Sequence, residues 1–336
     1  MQYKVVVIGC GHMGEEHLKD IYFRDNIRIA AVVDKDAAKA REAAEKYAAD
    51  AWGTDYHRFL NRSAADIAII ATNTASHLPI LKDCLENGVH VLCEKPIATN
   101  SADAEEFLRA AESSPCRVLV GHILRHNLTY RRVADMIHEG AIGSPVVMRL
   151  VQNHHTMDWP RYKRLLADCP PILDCGVHYF DVMQWFTGER IVRLSGVKAS
   201  VDPDTPENSY NYGLVTVKLS GGSTGYYEAG WGNTIASENR KDFIGPKGRI
   251  SIVLAWQRLQ DREEGDLIEY YRYPQKEYQA INLKAQYKPA YRQLSALIDM
   301  IEGKGPASPT LDEVRSSFRA AMAADRALRT GSVVTL

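Results

Sequence analysis

Two short segments of this 336-residue chain group side chains that could move a proton or steady a negatively charged oxygen. In VHVLCEKP an apolar run ends on Glu94, Lys95 and Pro96. A lysine at a strand end could donate a hydrogen bond to an oxygen that gains charge. Taken alone, the same residues read as a surface Glu–Lys pair before a proline turn. In ILDCGVHYFDVMQW, Asp174 and His178 stand four apart, with Asp181 three beyond. On one helix the first two share a face, one turn apart. A carboxylate beside a histidine orients the ring and raises its basicity, which suits removal of a hydroxyl proton. The alternative is an amphipathic helix with a capping Asp and a core histidine.

A third segment points to a ligand. VVVIGCGHMG carries Gly9-x-Gly11-x-x-Gly14 between an apolar strand and a helix, and Asp34 follows 20 residues after Gly14. The first glycine permits a tight turn, the second lets backbone approach a pyrophosphate, and the third allows close helix–strand packing. The phosphates would sit on the positive end of the helix. An acid ending the second strand accepts ribose hydroxyls and repels a 2′-phosphate, so NAD(H) is expected over NADP(H). Lys35 partly offsets that repulsion.

Other candidates stay open between two readings. Asn153-His154-His155 and Asp158-Trp159 would suit a polyhydroxylated ligand, or form a solvated strand end. Arg161, Lys163 and Arg164 could bind an anionic group of a ligand, but are read as a solvated loop. Tyr227 and Trp231 are placed on a sheet, facing a ligand or a partner subunit. The His and Cys residues from His154 to His178 match no zinc spacing, and no metal is expected.

These residues need elements to hold them. Five β-branched runs (3–8, 27–33, 66–71, 90–93 and 117–120) alternate with helical stretches at 12–23, 36–48, 78–87 and 101–113. That rhythm predicts a parallel sheet buried on both faces, a doubly wound α/β domain over residues 1–121. After a helix at 129–139 the rhythm changes. Strand-like runs at 146–153, 191–200, 210–219, 223–231, 241–244, 250–254 and 267–272 predict a mostly antiparallel open sheet. With closing helices at 285–302 and 311–329, residues 122–336 read as an α+β domain whose last helices could return to the first.

Composition narrows the partners. Lys plus Arg number 41 against 42 Asp plus Glu, so no overall field draws in nucleic acid or an anionic membrane. No apolar run reaches membrane-spanning length. The opening MQYKVVVIGCG has no basic region ahead of a long apolar run, and the six cysteines are dispersed. A cytoplasmic protein with reduced thiols is expected.

Taken in order, the segments resemble the Gfo/Idh/MocA family of glucose–fructose oxidoreductase and inositol dehydrogenase. The resemblance covers nearly the whole chain. It runs from Gly9–Gly14 and Asp34 through Thr72-Asn73-Thr74-Ala75-Ser76-His77, Glu94-Lys95-Pro96 and Gly121-His122…Arg125. It ends with Asp174-x-Gly176-x-His178-x-x-Asp181 and Asp242–Gly248. One departure is Asn73, where the family usually has proline. The resemblance implies an NAD(H)-dependent dehydrogenase or reductase acting on a sugar, inositol or related polyol. It places Gly9, Gly11, His12, Met13, Gly14, Asp34, Thr72, Asn73, His77, Glu94 and Lys95 at the cofactor. It makes Lys95, His178 and Asp174 catalytic, and sets His122, Arg125, His155 and Trp159 with Asp174 and His178 around substrate. It also implies a homodimer or homotetramer formed through the open sheet face. The alternatives are an NAD-dependent glycoside hydrolase of the same fold and a nucleotide-sensing regulator without turnover.

Overall fold

A computed structural model describes residues 2–156, 159–258 and 264–336, apart from the side chains of Arg161 and Asp168. The chain divides into two compact units, residues 1–126 with 288–315, and residues 127–287 with 316–336.

The first unit begins β1 (Tyr3–Ile8), α1 (His12–Ile21), β2 (Ile27–Val33), α2 (Ala37–Lys46) and β3 (Trp52–Gly53). It continues with β4 (Ile67–Ile70), α3 (His77–Glu86), β5 (His90–Cys93), α4 (Ser101–Ser113) and β6 (Val118–Val120). Strands rich in Val, Ile and Ala sit between helices on both faces, so their side chains are nearly all buried. The sheet is parallel throughout in the order β3-β2-β1-β4-β5-β6. The order reverses between β1 and β4, and ligands of such sheets bind beyond the carboxyl strand ends at that point. The two-residue edge strand β3 escapes a pattern search because it is too short to show periodicity. Local chemistry sets the helix starts: Asp36 accepts from the Ala38 and Lys39 amides, and Asn100 from that of Asp103.

The second unit opens on α5 (Leu128–His138), capped by Asn127, then β7 (Val147–His155). Three helices follow: α6 (Trp159–Asp168), α7 (Pro171–Asp174) and α8 (Gly176–Thr187), the last closed by Gly188 at φ 70°. Then come β8 (Ile191–Ala199), β9 (Tyr212–Leu219), β10 (Thr224–Gly232), β11 (Glu238–Gly245), β12 (Gly248–Val253), β13 (Asp266–Arg272) and β14 (Glu277–Leu283). The chain ends with α9 (Ala290–Ile301), α10 (Leu311–Thr330) and β15 (Val334–Thr335).

Nine of these strands form one sheet, β14-β13-β12-β11-β7-β10-β9-β8-β15. It is antiparallel except where β7 and β10 run parallel. Leu150, Tyr227, Phe243 and Ile250 on one face are buried with Phe180 and Phe186 of α8. The stretch of Arg161, Lys163 and Arg164, read as a solvated loop, lies in the helix α6 instead. On its exposed side Trp159 Nε1 and Lys163 Nζ, one turn apart, both donate to the Asp204 carboxylate, at 2.8 and 2.9 Å. The edge strand β14 is missed because EYQAINL is exposed and lacks alternation. α9 begins five residues later than its periodicity predicts, because Pro289 disfavours helical backbone at Lys288. It belongs to the first unit, where Leu294, Leu297 and Ile298 pack into the core with Leu18 and Ile21.

Candidate functional site

The glycine loop after β1 is shaped by what its side chains would strike. Gly9 has φ +100°, and a Cβ there would lie 2.4 Å from the Ala71 carbonyl oxygen. A Cβ on Gly14 would fall 1.8 Å from the Gly9 oxygen, so only glycine lets α1 run this close to the loop. Gly11 differs. Its backbone is ordinary (φ −74°), no side chain caps the helix there, and a Cβ would meet nothing within 4 Å. Open space at an uncapped helix start is what a phosphate group requires.

Asp34 completes the cradle. Its Oδ2 accepts the Cys10 amide at 2.8 Å and its Oδ1 the Asp36 amide at 2.9 Å. A carboxylate oxygen has further lone pairs, which remain available for ribose hydroxyls. Burial, and then the charge of Asp34, push the Cys10 thiol up to about 12, so it stays protonated and inert. His12 is exposed with Nε2 2.7 Å from Lys288 Nζ, and Met13 is half-buried. These donors and acceptors fit a dinucleotide.

The turns after β4, β5 and β6 open on the same edge of the sheet. Asn73 has φ −63°, within proline's own range, so the loop keeps its course with asparagine in place. Its Oδ1 accepts the Ser76 hydroxyl at 2.8 Å. His77 is buried, with ring nitrogens 3.0 Å from the Pro96 carbonyl and 3.2 Å from that of Thr72, tying two turns together. Burial lowers its affinity for a proton below the ordinary value. Lys95 is half-buried, while Glu94 points inward to His17 Nε2 at 2.8 Å. His122 is also buried. Arg125, expected at substrate, is 5% exposed and bonds Glu313 at 3.0 Å, so that charge is engaged inside the first unit. His17 escapes sequence reasoning; the available signal is a polar residue on the apolar face of α1, three beyond Gly14.

In the second unit Asp174 and His178 do not share one helix. Asp174 ends α7, Cys175 forms the joint, and His178 lies in the first turn of α8. Pro170 and Pro171 start the short helix, and Gly176 lets the next begin against the sheet: a Cβ there would lie 3.3 Å from Tyr227. Both Asp174 and His178 are half-buried, and Asp181 is buried. Tyr227 and Trp231, expected to face a ligand or a partner subunit, are instead 0% and 2% exposed. Strand alternation turns them towards the helices, where Tyr227 stacks on Tyr179 at 4.7 Å and Trp231 meets Tyr162 edge-on. Beside them Lys241 is buried, its Nζ 5.1 Å from the Tyr179 ring centroid. Nothing in its local sequence marks it, since a lysine on a strand is ordinarily solvated. His155 is exposed at the end of β7 and Trp159 opens α6; Asp158 lies outside the described residues. Among the described residues no cluster of His, Cys, Asp or Glu could hold a metal ion.

Comparison with known proteins agrees with both units. The sequence pattern of the GFO/IDH/MocA oxidoreductase family, NAD-binding Rossmann fold, matches residues 3–122. That of the GFO/IDH/MocA C-terminal domain matches residues 130–251. An inositol 2-dehydrogenase of Rubrobacter xylanophilus is 28% identical over 258 residues, 74% of this chain and 70% of that protein. Inositol 2-dehydrogenase 4 of Saccharopolyspora erythraea is 28% identical over 66% of this chain and 64% of its own length. In fold, the chain is similar to the crystal structure of myo-inositol 2-dehydrogenase from Lactobacillus plantarum, with a TM-score of 0.83 and 18% identity, all of both chains being covered. With both of its halves matched in order, the chain belongs to the GFO/IDH/MocA family of oxidoreductases, whose first domain is an NAD-binding Rossmann fold.

Proposed function

We propose that this protein transfers hydride between NAD(H) and a carbinol or carbonyl carbon of a sugar, inositol or related polyol. The observation that carries the reading is the cradle of Gly9, Gly11, Gly14 and Asp34, opening on the same sheet edge as Lys95. When bound, NAD supplies or accepts the hydride. Gly11 leaves the amides of the first turn of α1 open to the pyrophosphate, and Asp34 takes the ribose hydroxyls. Lys95 Nζ donates a hydrogen bond to the reacting oxygen and steadies its charge as an alkoxide develops. A ring nitrogen of His178 takes the hydroxyl proton in oxidation and returns it in reduction, with Asp174 orienting substrate or ring. The Asp34 carboxylate favours NAD(H) over NADP(H). These residue roles rest on the family resemblance together with the partial exposure of Lys95 and His178.

A cytoplasmic location is in keeping with six cysteines that form no disulfide. The protein associates as a homodimer or homotetramer through the sheet face turned away from the helices, where Val147, Val197 and Tyr278 are exposed. The deciding experiment is a panel of sugars, inositols and other polyols incubated with NAD and followed at the NADH absorbance. NADH accumulation with a polyol is expected. A panel that gives none, from protein that binds NAD, overturns the reading.

A further inference from the structure

Inside the first unit two buried polar groups meet under the glycine loop. His17 lies one turn beyond Gly14 on α1 and is wholly shielded from solvent; Glu94 directly precedes Lys95 and is 4% exposed. His17 Nε2 stands 2.8 Å from Glu94 Oε1. The other ring nitrogen, Nδ1, is buried with no hydrogen-bond partner among the described residues. The ring proton is therefore assigned to Nε2, where Glu94 accepts it. Gly121 closes the other side: a Cβ there would lie 3.2 Å from the carboxyl carbon and both oxygens of Glu94. The carboxylate has one place to be.

Burial works against its charge, but the hydrogen bond and electrostatics of His17, then Lys95 and His77, outweigh burial and hold the carboxyl below its usual range. The titratable groups whose charge acts on it are thus His17 from α1, which also bonds it, Lys95 next in the chain and His77 from α3. A buried, fixed negative charge favours the ammonium form of a neighbouring lysine. The ammonium is the form that steadies an oxygen anion.

We propose that His17, acting through the buried Glu94 carboxylate, is a positioning residue for Lys95, holding that lysine charged and tying it to the helix that receives the cofactor phosphates. The inference deepens the proposed function and rests on it for the role of Lys95, but its first test needs neither cofactor nor substrate. In the ligand-free protein, Lys95 is titrated by competitive labelling with acetic anhydride across the alkaline range, its peptide being quantified by mass spectrometry. Glu94→Gln keeps the shape and removes the charge, His17→Leu removes the donor, and His17→Gln retains one. The Lys95 midpoint is expected to fall by about one pH unit in Glu94→Gln, by a smaller amount in His17→Leu as the carboxylate loses its anchor, and to stay near wild type in His17→Gln. Circular dichroism establishes that each variant is folded; should His17→Leu not fold, His17→Met takes its place, and a folded donor-less variant at position 17 with an unchanged midpoint overturns the part assigned to His17. A Lys95 midpoint unchanged in folded Glu94→Gln overturns the proposal. With a polyol substrate in hand, the alkaline fall in kcat moves to lower pH in Glu94→Gln by the same amount. A shifted midpoint in a protein that oxidises no polyol would sustain the coupling and refute only the dehydrogenase reading.

Discussion

Lys241 allows a stability prediction with a definite sign. Its Nζ lies 3.4 Å from the Val151 carbonyl and has no carboxylate within ion-pair distance among the described residues. Burial pushes the ammonium down from 10.5 to about 7, against a smaller upward pull from Asp242 and Glu238. That fall corresponds to roughly 5 kcal/mol of disfavour for the charged form. Between pH 7 and 10.5 the unfolded chain binds a proton that the folded chain does not, so this residue makes stability rise with pH. Well below pH 7 both states carry the proton and the full penalty stands. The thiols of Cys10 and Cys84, pushed up by burial, act in the opposite direction once unfolded thiolates form, so the comparison must be made against a variant. Lys241→Met keeps the straight chain and removes the charge. Near pH 6.5 it should exceed wild type in unfolding free energy by up to about 5 kcal/mol, and the gap should shrink by roughly 2–3 kcal/mol from pH 7 to pH 9. Urea unfolding read by tryptophan fluorescence measures this, because Trp159, Trp185, Trp231 and Trp256 all lie in the second unit. A gap that does not change with pH, or a variant less stable than wild type at pH 6.5, refutes the reasoning.

Three further outcomes are expected. Gly11→Val should fold with a near-native melting temperature, since its φ is ordinary and space surrounds it, yet fail to quench NADH fluorescence on titration; unchanged binding would remove the phosphates from this loop. NAD(H) should bind at least about tenfold more tightly than NADP(H), roughly 1.4 kcal/mol. Asp34→Ser should narrow that ratio and also weaken NAD binding, because the Cys10 and Asp36 amides lose their acceptor. His178→Ala should lower turnover by about 10²–10⁴-fold with cofactor affinity nearly intact, and should abolish the rise of alcohol oxidation with pH. Wild-type turnover, or a retained rise, would assign proton transfer to another group, Asp174 first.

The sequence by itself determined the cofactor domain. Glycines at 9, 11 and 14, a carboxylate at 34 and strands made of Val, Ile and Ala are local signals, each dictated by sterics or burial within a few residues, and the structure realises them almost at their expected bounds. The mostly antiparallel second sheet was legible for the same reason, as alternation in short runs. Contacts between residues distant in the chain were not legible. His17 and Glu94, 77 positions apart, gain their meaning only when α1 crosses the end of β5. Tyr227, Trp231 and Lys241 sit on strands that look two-sided in sequence, and only the packing of α6 and α8 decided which side is buried. The joint at Cys175 separates Asp174 from the helix of His178, and Gly176, which opens that helix, packs against Phe180 and against Tyr227 of β10. Periodicity reports which residues share a face; tertiary structure alone decides what that face meets, and hence which polar side chains end up buried, paired and shifted in charge.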